Sequence, residues 1–416
     1  MRKSSLILGG TTALAAPFIL SGAYSANTLT GLIGDLYAGL DVVSRELVGM
    51  IPSVTRNAGA ERAAVGQSVI YHVTESAETQ NITPAMTVPE PADKSPGNGS
   101  IVITKAKKSD FGWTGEEQRG LRNNSDPNFL SLQADYFAQG LRVLVNEVER
   151  DLYLAGVAAA CAATGTPGTT PFASNVGDSA QVRKLLDDNG APATGRSLVG
   201  DTSMGAALRT LANLTKVNEA GTSMTLRDGQ LLDLNGLSIK ESGQGAYAHQ
   251  NTTGTAANAT TDNAGYDIGD TVITLASAGT GTIIIGDYVS FAGDPRYYQV
   301  TAGDGDVSGG GTITLAAPGL MQPIAASATA ITLAKVAGGY ARNLGFSQNA
   351  IHLVARAPAL PEGGDAAIDR MQLTDPRSGM VFEVSLYAGY RKISAEVALA
   401  WGVKAVKPPH IVALFG

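Results

Sequence analysis

The sequence predicts an α+β fold interrupted by a β-rich insertion, and three observations predict it. Residues 126–160 carry one long helical face. Strand-like segments stand on both sides of it, at 66–74 and 99–108 before and around 350–354 and 380–386 after. Between about 241 and 341 helical periodicity vanishes, and Gly, Thr, Ala and Asn dominate. Helices and strands that resume after such a break describe a host with a second β unit inserted into it.

Composition bounds the rest. A chain of 416 residues exceeds one small core, so two or three domains are expected. Charged residues make up only 16% of the chain, against about 25% in typical globular proteins, and 50 residues are Gly. One way for a large, weakly charged chain to stay soluble is to bury surface against copies of itself. The net charge of -7 argues against a bulk electrostatic grip on nucleic acid, which needs clustered Lys and Arg. After residue 26 no stretch offers ~18 unbroken apolar residues, so no membrane span is expected there. The only cysteine, Cys161, sits in Ala158-Ala159-Ala160-Cys161-Ala162. It can form neither an internal disulfide nor a Cys-based zinc site, and reads as a small packing residue.

Taken in order, the chain starts like an export signal. Arg2 and Lys3 form a basic start, Leu6 to Leu20 are mostly apolar, and Ala23-Tyr24-Ser25-Ala26 ends in small residues. Over residues 26–50, Leu32, Leu36, Leu40, Val43, Leu47 and Met50 recur at helical spacing until Pro52. The strands at 66–74 and 99–108 flank a polar, Pro-rich tongue, which fits an extended hairpin arm and a solvated loop equally well. Asp126 is a good N-cap and Pro127 a good first-turn residue. Leu130, Ala134, Phe137, Leu141, Leu144, Val148, Leu152, Ala155 and Ala159 then define one face. At 1.5 Å per residue, about 34 residues make a rod of ~50 Å, a spine for other layers.

Residues 161–175 read as loop. Asp178 caps a short helix ended by Asn189-Gly190, Ser197-Leu198-Val199 is a strand, and Thr202 or Ser203 caps another helix. In the β-rich block, Ile273-Thr274-Leu275-Ala276, Ile313-Thr314-Leu315-Ala316 and Ile331-Thr332-Leu333-Ala334 are three strands of similar sequence. Tyr288 to Phe291 and Tyr297 to Val300 lie between them. Short strands at this spacing predict a small barrel or sandwich. Host strands return at Ala350 to Val354 and Met380 to Leu386. Ala395 to Gly402 is helical or extended, and Val403 to Val406 reads as a terminal strand.

Catalytic and cofactor motifs do not emerge. His72, His249, His352 and His410 are far apart and sit in no metal-ligand pattern. There is no nucleophile elbow, phosphate loop or dinucleotide fingerprint. Glu116-Glu117 and Asp187-Asp188 read as solvated faces. The expectation is a protein that is not an enzyme and has no cofactor.

Four stretches resemble one family. They are Ala26 to Thr30 with Ala38 to Val48, Ile284 to Gly293, Asn343 to Ala350, and Ala400 to Pro408. With the element order, they are similar to the major capsid (coat) proteins of tailed bacteriophages, of the HK97-type fold. More narrowly they resemble the P22-type coat proteins, in which a β-barrel insertion domain interrupts the host. The resemblance spans residues 26 to 416 and implies an organisation. Residues 1–64 are N-terminal extension and arm, 65–125 extended hairpin loop and peripheral strands, and 126–160 spine helix. Residues 161–240 begin an axial α+β domain, 241–341 are the inserted barrel, 342–365 return to the axial domain, and 366–416 are peripheral strands and C-terminus.

The resemblance also implies a function. Pentamers and hexamers of the chain would build an icosahedral head, assembled in the bacterial cytoplasm, that encloses double-stranded DNA without sequence-specific binding. A scaffolding protein, a portal and decoration proteins are the implied partners. Glu75, Glu78, Glu90, Asp93 and Lys94 on the tongue are candidates for intersubunit charge pairs, each contributing only ~0–1 kcal/mol. The polar loop 246–266 of the barrel is a candidate bridge between capsomers. Residues 1–25 precede the family's usual start and are expected to be an added arm along neighbouring subunits. The rivals are a secreted or surface β-rich adhesin exported by residues 1–26, and an enzyme built around the barrel.

Overall fold

The computed structural model describes residues 48–73, 81–82, 84, 86, 97–122, 128–216, 225, 228–229, 231, 233–375 and 379–416. The helical pattern expected over 26–50, apart from residues 48–50, which are not helical, the caps Asp126 and Pro127 and most of the tongue lie outside the described residues.

Down the chain, strands β1 (Thr55–Ala63), β2 (Ser68–Val73), β3 (Gly97–Val102) and β4 (Lys105–Thr114) precede helices α1 (Gly115–Arg122) and α2 (Asn128–Ala159). Next come β5 (Ala162–Thr164), α3 (Gly177–Asp188), β6 (Arg196–Gly200), α4 (Thr202–Thr210), α5 (Ala212–Thr215) and β7 (Ser238–Glu241). The β-rich block supplies β8 (Val272–Leu275), β9 (Tyr288–Phe291), β10 (Tyr297–Ala302), β11 (Gly311–Leu315) and β12 (Ile331–Leu333). The chain finishes with β13 (Arg342–Ser347), β14 (Ile351–Pro358), β15 (Ala367–Thr374), β16 (Val381–Gly389), β17 (Lys392–Ala405) and β18 (Ile411–Phe415). The fold is α+β.

Two large sheets meet on α2. In the first, β17 is the axis. β4 runs beside it from Lys392 to Trp401, while β16 and β14 pair with its first and second halves. β15 and β1 flank these, β1 parallel to β14. Phe137, Leu141, Leu144, Val148 and Leu152 of α2 are buried against Phe382, Val384, Val397, Leu399 and Trp401. Full burial stabilises by roughly 1.5–3 kcal/mol per large apolar side chain, so this contact holds the helix that the sequence pattern predicts. α1 starts with a capping box: Glu117 accepts the Thr114 N–H, and the Thr114 hydroxyl accepts the Glu117 N–H.

The second sheet runs β12-β9-β10-β5-β18-β13-β6-β7, with α3 packed on one face. Its first strands also close on themselves. β12 pairs β9, β9 pairs β10, β10 pairs β11 and β11 pairs β8. Residues 260–261 complete the circuit, Thr261 bridging Leu275 of β8 and Thr260 bridging Ala330 beside β12. Ile273, Ile283, Val289, Val300 and Ile313 fill the interior. This is a small barrel, and part of the loop expected at 246–266 is wall rather than projection.

Several expectations are corrected. The loop 161–175 contains β5, a buried strand paired with β18 on one side and β10 on the other. Those partners lie more than a hundred residues away, and no local pattern reveals them. The strand 99–108 is two strands, because Ile103 and Thr104 bond to Gln67 and Trp401 and pass the chain between sheets. Residues 392–405 form one strand rather than a helix or two pieces, since both edges are paired. The last strand is Ile411–Phe415, beyond Pro408-Pro409. Asp201, not Thr202 or Ser203, caps α4 through the Met204 N–H. Asp178 lies inside α3 and accepts the Phe172 N–H.

Candidate assembly site

The buried face of α2 carries one charged residue, Glu149, which the sequence analysis passed over. Glu149 Oε1 accepts the N–H groups of Gly49 and Met50, both at 2.7 Å. Its Oε2 accepts the Ile51 N–H at 2.9 Å. The carboxylate is fully buried. Burial pushes its pKa up, against the backbone donors that favour the charged form. Gly49 is required by close approach: a Cβ there would lie 2.7 Å from both the Glu241 carbonyl oxygen and Val199. Ser53 donates to the Gly49 carbonyl at 2.6 Å, and Lys240 donates to Ser53 at 2.9 Å. Residues 49–53 are thus fastened to α2 and β7.

The β2–β3 hairpin is a sheet of two strands only, in register from Ser68↔Val102 to Val73↔Gly97. Its base is anchored. Ile101 and Ile103 pack with Ala63, Val354 and Ala400, and Lys404 donates to the Ser100 carbonyl at 2.9 Å. Gly402 lets β17 approach this base: a Cβ there would lie 2.2 Å from the Val102 carbonyl oxygen. Val102 at the base and Ile70 farther out are exposed, and Ile82 and Met86 between the strands are almost wholly so. Glu75, Glu78, Glu90, Asp93 and Lys94 lie outside the described residues.

The barrel is fastened to the end of α2. Gln299 Nε2 donates to the carbonyls of Val157 (3.4 Å) and Ala158 (3.3 Å), and the Tyr288 hydroxyl to that of Ala160 (3.3 Å). These are carbonyls of the helix's last turn and just past it, where intrahelical donors run out. Arg296, also nearly buried, pairs with Asp188 at 2.7 Å and donates to Asn189. Asp187 pairs with buried Arg196 at 2.7 Å. Asp187 and Asp188 are exposed, as the solvated-face reading expects, and each also meets a buried arginine from a different segment.

A polar seam joins α2, nearer its middle, to the first sheet. Lys105 Nζ lies 3.0 Å from Glu147 and 2.8 Å from Asp151, and Trp401 Nε1 donates to Asp151 at 2.9 Å. The histidines stay dispersed. His72 bonds Asn98 at 2.8 Å, His352 lies against Tyr71, and His249 is 3.8 Å from Asp201. Among the described residues no group of three or more His, Cys, Asp or Glu is placed to hold a metal ion. Among them, too, no helix is long and apolar enough to cross a membrane. Cys161 is buried, and burial pushes its thiol up to about 12.

No protein-family model matches the chain, and no curated protein matches it. Solved structures do. A structure of Mycobacterium phage Che8 is 14% identical, with TM-score 0.41, over 85% of this chain and 88% of that one. The capsid structure of the cyanophage P-SCSP1u is 13% identical, with TM-score 0.45, over 89% and 88%. A virus-like particle from Pyrococcus furiosus is 10% identical, with TM-score 0.40, over 92% and 98%.

Proposed function

We propose that this chain is the major capsid protein of a tailed double-stranded DNA bacteriophage, self-assembling through pentamers and hexamers into an icosahedral head. The observation that carries the proposal is the β2–β3 hairpin. A two-stranded sheet is marginal in water by itself. This one holds Ile70 and Val102 in solvent in the single chain, and Ile82 and Met86 between its strands are exposed as well, so a neighbouring copy is its natural cover. The clasp at Glu149 supports the same proposal, because it fixes the departure point of an N-terminal arm. So does the order of arm, hairpin, spine helix, inserted barrel and returning strands, which is that of the HK97-type arrangement implied by the sequence resemblance. Many weak repeated contacts acting together supply the affinity. A weakly acidic chain offers packed DNA little adhesive surface. Scaffolding, portal and decoration proteins belong to this proposal as partners.

The test is to replace residues 75–96 by a short Gly-containing turn. The variant is expected to keep the circular dichroism of the native chain and to form no shells. Shells of native size and yield from this variant would remove the hairpin's assigned role.

A further inference from the structure

We propose that an open groove at the outer end of the first sheet receives the apolar N-terminal segment Leu6 to Leu20. The groove has a volume of about 930 Å³ and lies between the start of α1 and the β16–β17 turn. Trp113, Ile368, Ala388, Tyr390 and Ile393 give it a mostly apolar lining. Two of these are costly to leave in water: Tyr390 is 90% exposed and Ile368 57%. The turn that presents Tyr390 is itself unusual, since Arg391 holds a φ of 55°, a conformation non-glycine residues adopt rarely.

The occupant is argued from the chain. Between Lys3 and Asp35 there is no Asp, Glu, Lys or Arg, and Leu6, Ile7, Leu8, Leu14, Phe18 and Ile19 fall within that stretch. A retained segment of this composition needs apolar cover. Its connection permits the docking. The chain is fixed at Gly49 by Glu149, and Trp113 at the groove packs on Tyr136 of the same helix. Thirteen residues of helix separate Glu149 from Tyr136, about 20 Å. Residues 21–47, fully extended, span at most about 90 Å, ample for the chain's own groove or a neighbour's. The inference rests on the shell proposal, since an export signal would be removed.

The experiment places the photocrosslinker p-benzoylphenylalanine at Tyr390, an exposed turn position that tolerates it, in the full-length protein after assembly. Irradiated samples are digested and mapped by mass spectrometry, and the same sample is viewed by electron microscopy. Adducts to peptides within residues 1–25, from the same or another chain, are the expected result. They should fall at least tenfold when Leu6, Leu8, Phe18 and Ile19 are all changed to serine. Adducts only elsewhere, or a chain beginning near Ala26, would overturn the groove assignment. Micrographs report separately on the shell: shells without the adduct leave the shell proposal standing, and the adduct is read whether or not shells form.

Discussion

Glu149, on the buried face of α2, holds the backbone of Met50 with a 2.7 Å hydrogen bond and takes the adjacent N–H groups of Gly49 and Ile51 as well. A fully buried carboxylate is a weak source of stability, because its desolvation offsets most of the attraction. Its effect here is positional: three consecutive donors aimed at two oxygens fix the register of residues 49–51 against α2. Glu149→Ala strands those donors in the interior, at about 1–3 kcal/mol for each unsatisfied group. Hydrogen exchange at residues 49–51 should rise sharply in this variant, with a loss of roughly 3–5 kcal/mol in urea unfolding. Unchanged protection at 49–51 would contradict the clasp.

Gln299 belongs to the barrel in sequence and to α2 in effect. Its side-chain amide covers the Val157 and Ala158 carbonyls. Gln299→Ala is expected to destabilise the unassembled chain by ~1–3 kcal/mol, while Gln322→Ala, exposed on the same barrel, stays within about 0.5 kcal/mol. Urea midpoints of the two variants give the comparison. Equal midpoints would mean that the barrel is not coupled to the helix through this residue.

Gly402→Ala tests the seating of the hairpin. The added methyl meets a backbone carbonyl, which cannot rotate away, so a cost of roughly 1–3 kcal/mol is expected from overpacking. Exchange should increase first in Ser68–Val73 and Gly97–Val102, the strands whose base β17 supports. Loss spread evenly over both sheets would point to a general effect instead.

The acid limb has a definite sign. The hydrogen bond from Arg196 holds the Asp187 carboxyl below its ordinary range, helped by nearby charge. Its contribution is present above the unfolded pKa of about 3.9 and is lost as pH falls through the lower folded value. Glu149 and Asp287, raised by burial, act oppositely: their contribution is present below the unfolded pKa and fades as pH rises through the folded one. Asp187→Asn should therefore be less stable than the native chain near neutrality, with the gap closing below about pH 4. A gap that is constant with pH would contradict the Asp187–Arg196 assignment.

What was legible in the sequence was what local periodicity records. The α2 stripe from Phe137 to Leu152 is buried as its three- and four-residue spacing requires. The three Ile-Thr-Leu strands lie in one barrel, where Ile313 and Ile273 stand opposite each other. Long-range pairing was not legible. β5 is three small residues whose strand character comes wholly from β10 and β18. Glu149 could have been found, since it stands four residues after Val145 and three before Leu152 on the buried face, and a charge at a stripe position signals a partner. Nothing nearby in sequence says that the partner is the backbone a hundred residues earlier. The exposure of Asp187 and Asp188 was legible, but their arginines were not, being supplied by β6 and by the loop before β10. The tongue's charged residues remain a sequence-based proposal.

The most direct measurement of the central claim is negative-stain electron microscopy of the purified full-length chain, with and without its neighbouring gene products. Closed polyhedral shells, or rings of five and six subunits, are the predicted result. Monomers that persist under every assembly condition would contradict the account.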